Sequence, residues 1–239
     1  YWIEKKKQQN SSFLTKNNNL NRKKLLIDEN KLLNYNKNNK TINIKQETII
    51  ERSIYMGFKE NEKTILKDLE TVLDKVDQKS VDEAMDLINS SNKIFFNALG
   101  RAAFAGKSFV MRLMHMGREV YVVGETNTPN FEEGDLLIIC SGSGETKQFI
   151  QIAEKAKGFG GKLMVFTGTP NSTLDQMADV SIIIKAPSKN QKDSEFQSVQ
   201  PMASLFEQGI LISGDAIVLG LMEQGSGNDE MFSRHSNLE

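Results

Sequence analysis

The sequence predicts an α/β fold, a doubly wound parallel sheet of five strands flanked by helices. Three observations predict it. Short continuous apolar runs recur between residues 93 and 184, as in strands covered on both faces, and stretches of helical period separate them. The third is the run over residues 135–147, which passes from a buried strand through a hydroxyl-rich glycine loop directly into a helix.

The elements follow in order. From Glu60 the chain reads as helix, because Ile65, Leu66, Leu69, Val72, Leu73 and Val76 recur at three- and four-residue spacing over a charged opposite face. Ser80 is expected to cap a second helix over 81–89, with Asp82 and Glu83 in the first turn where the dipole favours them. Strands are expected over 93–98, 119–123, 135–140, 162–167 and 180–184, and helices between them over 103–116, 145–157 and 172–177. A long closing helix is expected over 201–223 and a short last one over 229–235. In such a sheet ligands bind at the carboxyl ends of the strands.

The loop Ser141-Gly142-Ser143-Gly144 lies at such an end. Gly142 and Gly144 let the backbone come close to a ligand, the free N–H groups of the following helix point outward, and the hydroxyls of Ser141, Ser143 and Thr146 add donors. A phosphate monoester satisfies all of them, although an ordinary capped strand-to-helix turn uses the same residue types. Glu145, beside the loop, suits the start of a helix by dipole complementarity and competes as a catalytic carboxylate. Gly100-Arg101-Ala102 ends the first strand and is expected beside the Ser141 loop, where Arg101 can offer a bidentate charge to phosphate or a sugar oxygen, or serve as a surface or subunit salt bridge.

Several longer phrases carry a resemblance. Gly124-Glu125-Thr126-Asn127-Thr128-Pro129, the Ser141 loop, and Gln200-Pro201-Met202-Ala203-Ser204-Leu205-Phe206-Glu207-Gln208 resemble the sugar isomerase (SIS) domain, flavodoxin-like in fold, of the 6-phospho-3-hexuloisomerases. Residues 109–117 and the ending Arg234-His235-Ser236-Asn237-Leu238-Glu239 fit the same family, so the resemblance runs from about residue 60 to the end. It implies an isomerase that interconverts D-arabino-3-hexulose 6-phosphate and D-fructose 6-phosphate through an enediol, in the ribulose monophosphate route of formaldehyde fixation or pentose phosphate synthesis. It also implies a homodimer or homotetramer with active sites at subunit interfaces. The family commonly reads glycine, any residue, glycine, arginine, serine, glycine at the first turn, whereas this chain has Ala98-Leu99-Gly100-Arg101-Ala102-Ala103. Ala102 therefore stands where a substrate-contacting hydroxyl is expected, and one donor is lost.

Moving a carbonyl between adjacent carbons needs a base and proton exchange between neighbouring oxygens, with no metal or redox cofactor. Glu207, one turn into an apolar helix and flanked by Leu205, Phe206, Ile210 and Leu211, matches the family's proton acceptor, and partial burial of a carboxylate there would favour proton abstraction. A 3-hexulose 6-phosphate cannot close a five-membered ring and fructose 6-phosphate can, so a second acid–base group is needed to open the ring. The resemblance suggests that His235, reaching across a subunit interface, supplies it. His115, set among Met111, Leu113, Met114 and Met116, reads as a packed structural residue. Within the superfamily the alternatives are an arabinose 5-phosphate or sedoheptulose 7-phosphate isomerase. A different class is a silent sugar-phosphate sensor, which would keep the Ser141 loop and have no use for Glu207 or His235.

Composition fits a soluble globular protein of 239 residues, with 38% apolar and 26% charged residues. No apolar stretch is expected to reach membrane length, and no signal peptide opens the chain. The single cysteine, Cys140, cannot form an internal disulfide and reads as a small core residue, so a cytoplasmic setting is expected. Charge is uneven: residues 1–50 carry a net +7 and eleven asparagines against −8 over residues 51–239. Residues 1–55 are therefore expected to be a low-complexity, disordered or non-native extension, with Met56 opening a SIS domain over 56–239. The basic arm lacks the aromatic interleaving of a nucleic-acid binder.

Overall fold

A computed structural model describes residues 57–187, 196–225 and 227–238. The expectations for residues 1–55 and the start at Met56 lie outside these residues. Helices α1 (Phe58–Leu73) and α2 (Gln78–Ser90) lead into β1 (Ile94–Ala98), α3 (Gly100–His115), β2 (Val120–Val122), β3 (Leu136–Ser141) and α4 (Lys147–Gly158). Then follow β4 (Lys162–Thr167), α5 (Thr173–Met177), β5 (Val180–Ile183), α6 (Ser204–Glu223) and α7 (Asn228–Ser233). All the strand pairs are parallel, in the order β2-β1-β3-β4-β5.

Strand residues alternate between two cores, as the period of two requires. Ile94, Phe96, Leu136, Ile138, Cys140, Met164 and Phe166 face the layer of α2, α3 and α6, whereas Phe95, Leu137, Ile139, Leu163 and Val165 face α4 and α5. Both faces are thus dry, which is why the strands read as unbroken apolar runs and not as an alternation. Each such side chain contributes ~1.5–3 kcal/mol relative to exposure.

Four helix starts and one composition reading differ from expectation for reasons the structure makes plain. α2 begins at Gln78, since the Asp77 carboxylate accepts from the Ser80 backbone N–H at 2.9 Å and takes the capping role assigned to Ser80. α3 begins at Gly100 and not at 103, because Gly100 takes a φ of +61° and turns the chain into the helix at once. α4 begins at Lys147, with Thr146 as its extended cap, which leaves Glu145 just outside the helix. α6 begins at Ser204, since Met202 adopts a φ of +58° that a helix cannot contain. This same helix is long and apolar enough to cross a membrane by length and composition alone, contrary to the sequence expectation. Its apolar character has a packing cause: Leu205, Phe206, Ile210, Ile217, Val218 and Leu221 are buried in the core beneath it.

Candidate active site

Strand order fixes where a ligand goes. After β1 the chain crosses outward to β2, and it then returns to place β3 on the other side of β1, so the topological switch lies between β1 and β3. Ala98 pairs with Cys140 in that register, which sets the loop after β1 beside the loop after β3, as expected. Between them opens a cleft of about 470 Å³ that brings together Arg101, Ala102, Ser141, Ser143, Thr146 and Glu207. Gly142 lines it as well.

The Ser141 loop is held by its own backbone. The Gly144 N–H donates to the Ser141 carbonyl at 3.1 Å and to the Ser141 hydroxyl oxygen at 3.2 Å, while Gly144 accepts from the Leu174 N–H at 3.1 Å. Gly144 has a φ of +65°, and a Cβ there would lie 1.9 Å from the Ser172 hydroxyl oxygen, so only glycine fits. The Gly142 carbonyl is turned away from the cleft mouth to accept from the Gly168 N–H and the Thr169 hydroxyl. The Ser143 hydroxyl accepts from the Glu145 N–H at 3.3 Å and keeps its own proton for a ligand. Neither Leu99 before α3 nor Thr146 before α4 makes a side-chain cap bond, so the capping side chains leave the first N–H groups of both helices uncovered.

Of the expected site residues, Gly144, Glu145 and His235 do not line the cleft; Gly144 shapes the loop, and Glu145 is drawn away from it. Its carboxylate accepts from the Thr173 backbone N–H at 2.7 Å and from the Thr173 hydroxyl at 2.8 Å, and these bonds hold its pKa below the usual carboxylate range. It ties the Ser141 loop to α5 and does not line the cleft. Cys140 lies at the cleft floor, where burial pushes its thiol far up, as expected of an inert core residue.

Glu207 stands in the first turn of α6 and faces the cleft. The apolar surround expected from the sequence is completed by a cation: Arg101 Nε donates to Glu207 Oε2 at 2.5 Å. His235 is elsewhere in the same chain. Its ring stacks on that of His115, with centroids 5.3 Å apart, at the far end of α3 from Arg101. The length of that helix separates the two by about 20 Å at 1.5 Å per residue. His115 is buried as expected, and burial first, then Arg112 and His235, lower its pKa.

Among the cleft-lining residues that the sequence reading missed are Gly168 after β4 and Pro187 after β5. Their signal was available, since both follow strands whose carboxyl ends face the same side.

Residues 87–213 match the family model of the SIS domain. The chain is 44% identical over 165 residues to a protein of Bacillus subtilis named 3-hexulose-6-phosphate isomerase, covering 69% of this chain and 89% of that one. It is 37% identical over 166 residues to one of the same name from Mycobacterium gastri, covering 69% and 83%. A crystal structure from Methanococcus jannaschii, reported as inferring that molecular function, superposes with a TM-score of 0.65 at 30% identity over 75% of this chain and 99% of its own. The chain therefore belongs to the SIS-domain family and, within it, to the 3-hexulose-6-phosphate isomerases.

Proposed function

We propose that this protein interconverts D-arabino-3-hexulose 6-phosphate and D-fructose 6-phosphate. One observation carries the mechanism: Glu207 and the hydroxyl loop of Ser141, Ser143 and Thr146 open into one cleft at the switch point of the sheet. The loop and the two open helix ends bind the phosphate and so fix the sugar chain with respect to the carboxylate. Glu207 removes the proton from carbon 2, next to the carbon 3 carbonyl; the C–H electron pair forms the C2–C3 double bond and the carbonyl π pair moves onto O3, giving the enediolate form of the enediol. Return of the proton at carbon 3, with transfer of the O2 proton toward O3, leaves the carbonyl at carbon 2. Arg101 offers charge to the phosphate or to a sugar oxygen.

His235 is assigned to ring opening of fructose 6-phosphate in a second copy of the chain, because its position at the far end of α3 keeps it from the cleft of its own subunit. An assembly of two or four copies is supported by an apolar face: Phe104 and Met111 of α3, with Ile212 and Leu219 of α6, are exposed in the single chain. The reaction fits a place in the ribulose monophosphate route, and a reducing cytoplasm suits the single buried thiol of Cys140.

A coupled assay for fructose 6-phosphate formed from the 3-hexulose phosphate tests the activity. Glu207→Gln tests the base, since it keeps shape and polarity and should abolish exchange of the carbon-bound proton with deuterated water. Exchange at the wild-type rate in Glu207→Gln would remove Glu207 from the mechanism. His235→Asn should slow single turnovers that start from cyclic fructose 6-phosphate more than those that start from the open-chain isomer. Equal slowing in both directions would move His235 to the enediol step.

A further inference from the structure

The base of the proposed reaction is paired with a cation. Arg101 reaches across from the first turn of α3 and donates Nε to Glu207 Oε2, on the first turn of α6. The Oε2 lone pair that accepts this charge-assisted hydrogen bond is not free to take a proton while the bond is made. The two partners are unequally anchored: the Arg101 side chain is 66% exposed and that of Glu207 is 14% exposed. Arg101 can therefore swing with little loss of packing, whereas Glu207 stays in place. The guanidinium makes only this one bond among the described residues, which leaves its paired amino groups available to a ligand. The donors that fill the rest of the cleft, namely Ser141, Ser143, Thr146 and the ends of α3 and α4, are arranged for a dianion. A phosphate dianion offers Arg101 twice the charge of Glu207 and a bidentate edge in place of a single contact.

We infer that Arg101 restrains Glu207 until the substrate's phosphate draws the guanidinium away, so that filling the cleft is what frees the base. In this role Arg101 is a positioning residue whose partner changes during binding, and the inference rests on the reading of Glu207 as the base. Its consequence is protective, because a free carboxylate in an open cleft would be available to any enolisable sugar that entered without a phosphate.

The test is a binding cycle with inorganic phosphate as the probe, read by calorimetry on the full chain. If phosphate must break the Arg101–Glu207 pair, part of its affinity is spent on that step. Loss of an ion pair worth about 1 kcal/mol corresponds to about a fivefold change in Kd. Glu207→Gln should therefore bind phosphate more tightly than wild type, and its gain should be about fivefold larger than the gain it gives when Arg101→Gln is present in both proteins of the comparison, where only relief of charge repulsion remains. Equal tightening in both backgrounds would mean simple repulsion between Glu207 and the anion, and it would overturn the inference. Weaker binding in Glu207→Gln would mean that Arg101 bridges carboxylate and phosphate together, and would overturn it as well. Glu207→Ala repeats the cycle in case the glutamine side chain keeps Arg101 by a neutral hydrogen bond. Binding of phosphate needs no turnover, so this result stands apart from the proton-exchange test: loss of exchange in Glu207→Gln with no affinity gain would keep the base and remove the restraint.

Discussion

Gly144→Ala probes the conformation on which the proposed phosphate binding depends. The substitution meets two obstacles that add. A φ of +65° is left-handed, and a residue with a Cβ there costs roughly 1–2 kcal/mol. The new methyl would also lie 1.9 Å from the Ser172 hydroxyl oxygen and 2.5 Å from the Ser172 Cβ. Rotating the hydroxyl aside cannot clear the second contact, so backbone must move, and overpacking of this kind costs about 1–3 kcal/mol. The expected loss is therefore about 2–5 kcal/mol, measured as a lower urea midpoint at unchanged slope. Ser172→Gly in the same chain removes both clashing atoms. Ser172 caps α5 without a side-chain cap bond, so glycine there costs little by itself, and the double variant should recover the steric part and keep the left-handed part. Phosphate affinity, read by calorimetry, should fall in Gly144→Ala and return partly in the double variant. A Gly144→Ala protein within about 0.5 kcal/mol of wild type would refute the reasoning, since neither obstacle could then be real.

Three further outcomes are expected. Ser143→Ala removes a donor to a charged group and should weaken fructose 6-phosphate binding by about 1–3 kcal/mol in calorimetry, while unchanged affinity would take Ser143 out of the phosphate site. Ala102→Ser restores a hydroxyl on the cleft wall and should tighten binding, and a neutral result would show that the open N–H groups of α3 already do its work. The buried His115 has a folded pKa below its ordinary 6.5, so the unfolded chain binds the proton more readily; its contribution to stability is fully present above pH 6.5 and is lost as pH falls through the folded value. Urea midpoints should accordingly decline with acidification below that point, and His115→Leu should flatten the decline.

How far the sequence could be read depended on the range of the forces involved. The parallel sheet was legible because burial on both faces leaves an unbroken apolar run at each strand, and Ala98 beside Cys140 followed from the topology such runs impose. Helix starts were less legible, since they turn on single bonds and single dihedrals. Asp77 outcompeted Ser80 with a stronger acceptor, and Met202 sits in a left-handed conformation that no local pattern announces. Glu145 was misplaced for a related reason: its pull toward Thr173 joins residues 28 apart, and sequence spacing carries no trace of it. The Arg101–Glu207 pair spans 106 residues and was invisible in the same way, although both residues had been chosen separately for the site.

That pair also bears on whether the cleft performs chemistry or only senses a ligand. A cradle of hydroxyls and open helix ends recognises a phosphate equally well in an enzyme and in a sensor, so the Ser141 loop cannot decide between them. A sensor gains nothing from a carboxylate in an anion site, because it repels the phosphate that the loop attracts. Glu207 is such a carboxylate, mostly withdrawn from solvent and compensated by a mobile cation in the same cleft. The cost is intelligible when the negative charge is needed for a step after binding. Under the proposed mechanism, the placement that weakens ground-state recognition is thus the one that acts on the transition state, where the proton leaves carbon 2 and the carboxylate becomes neutral.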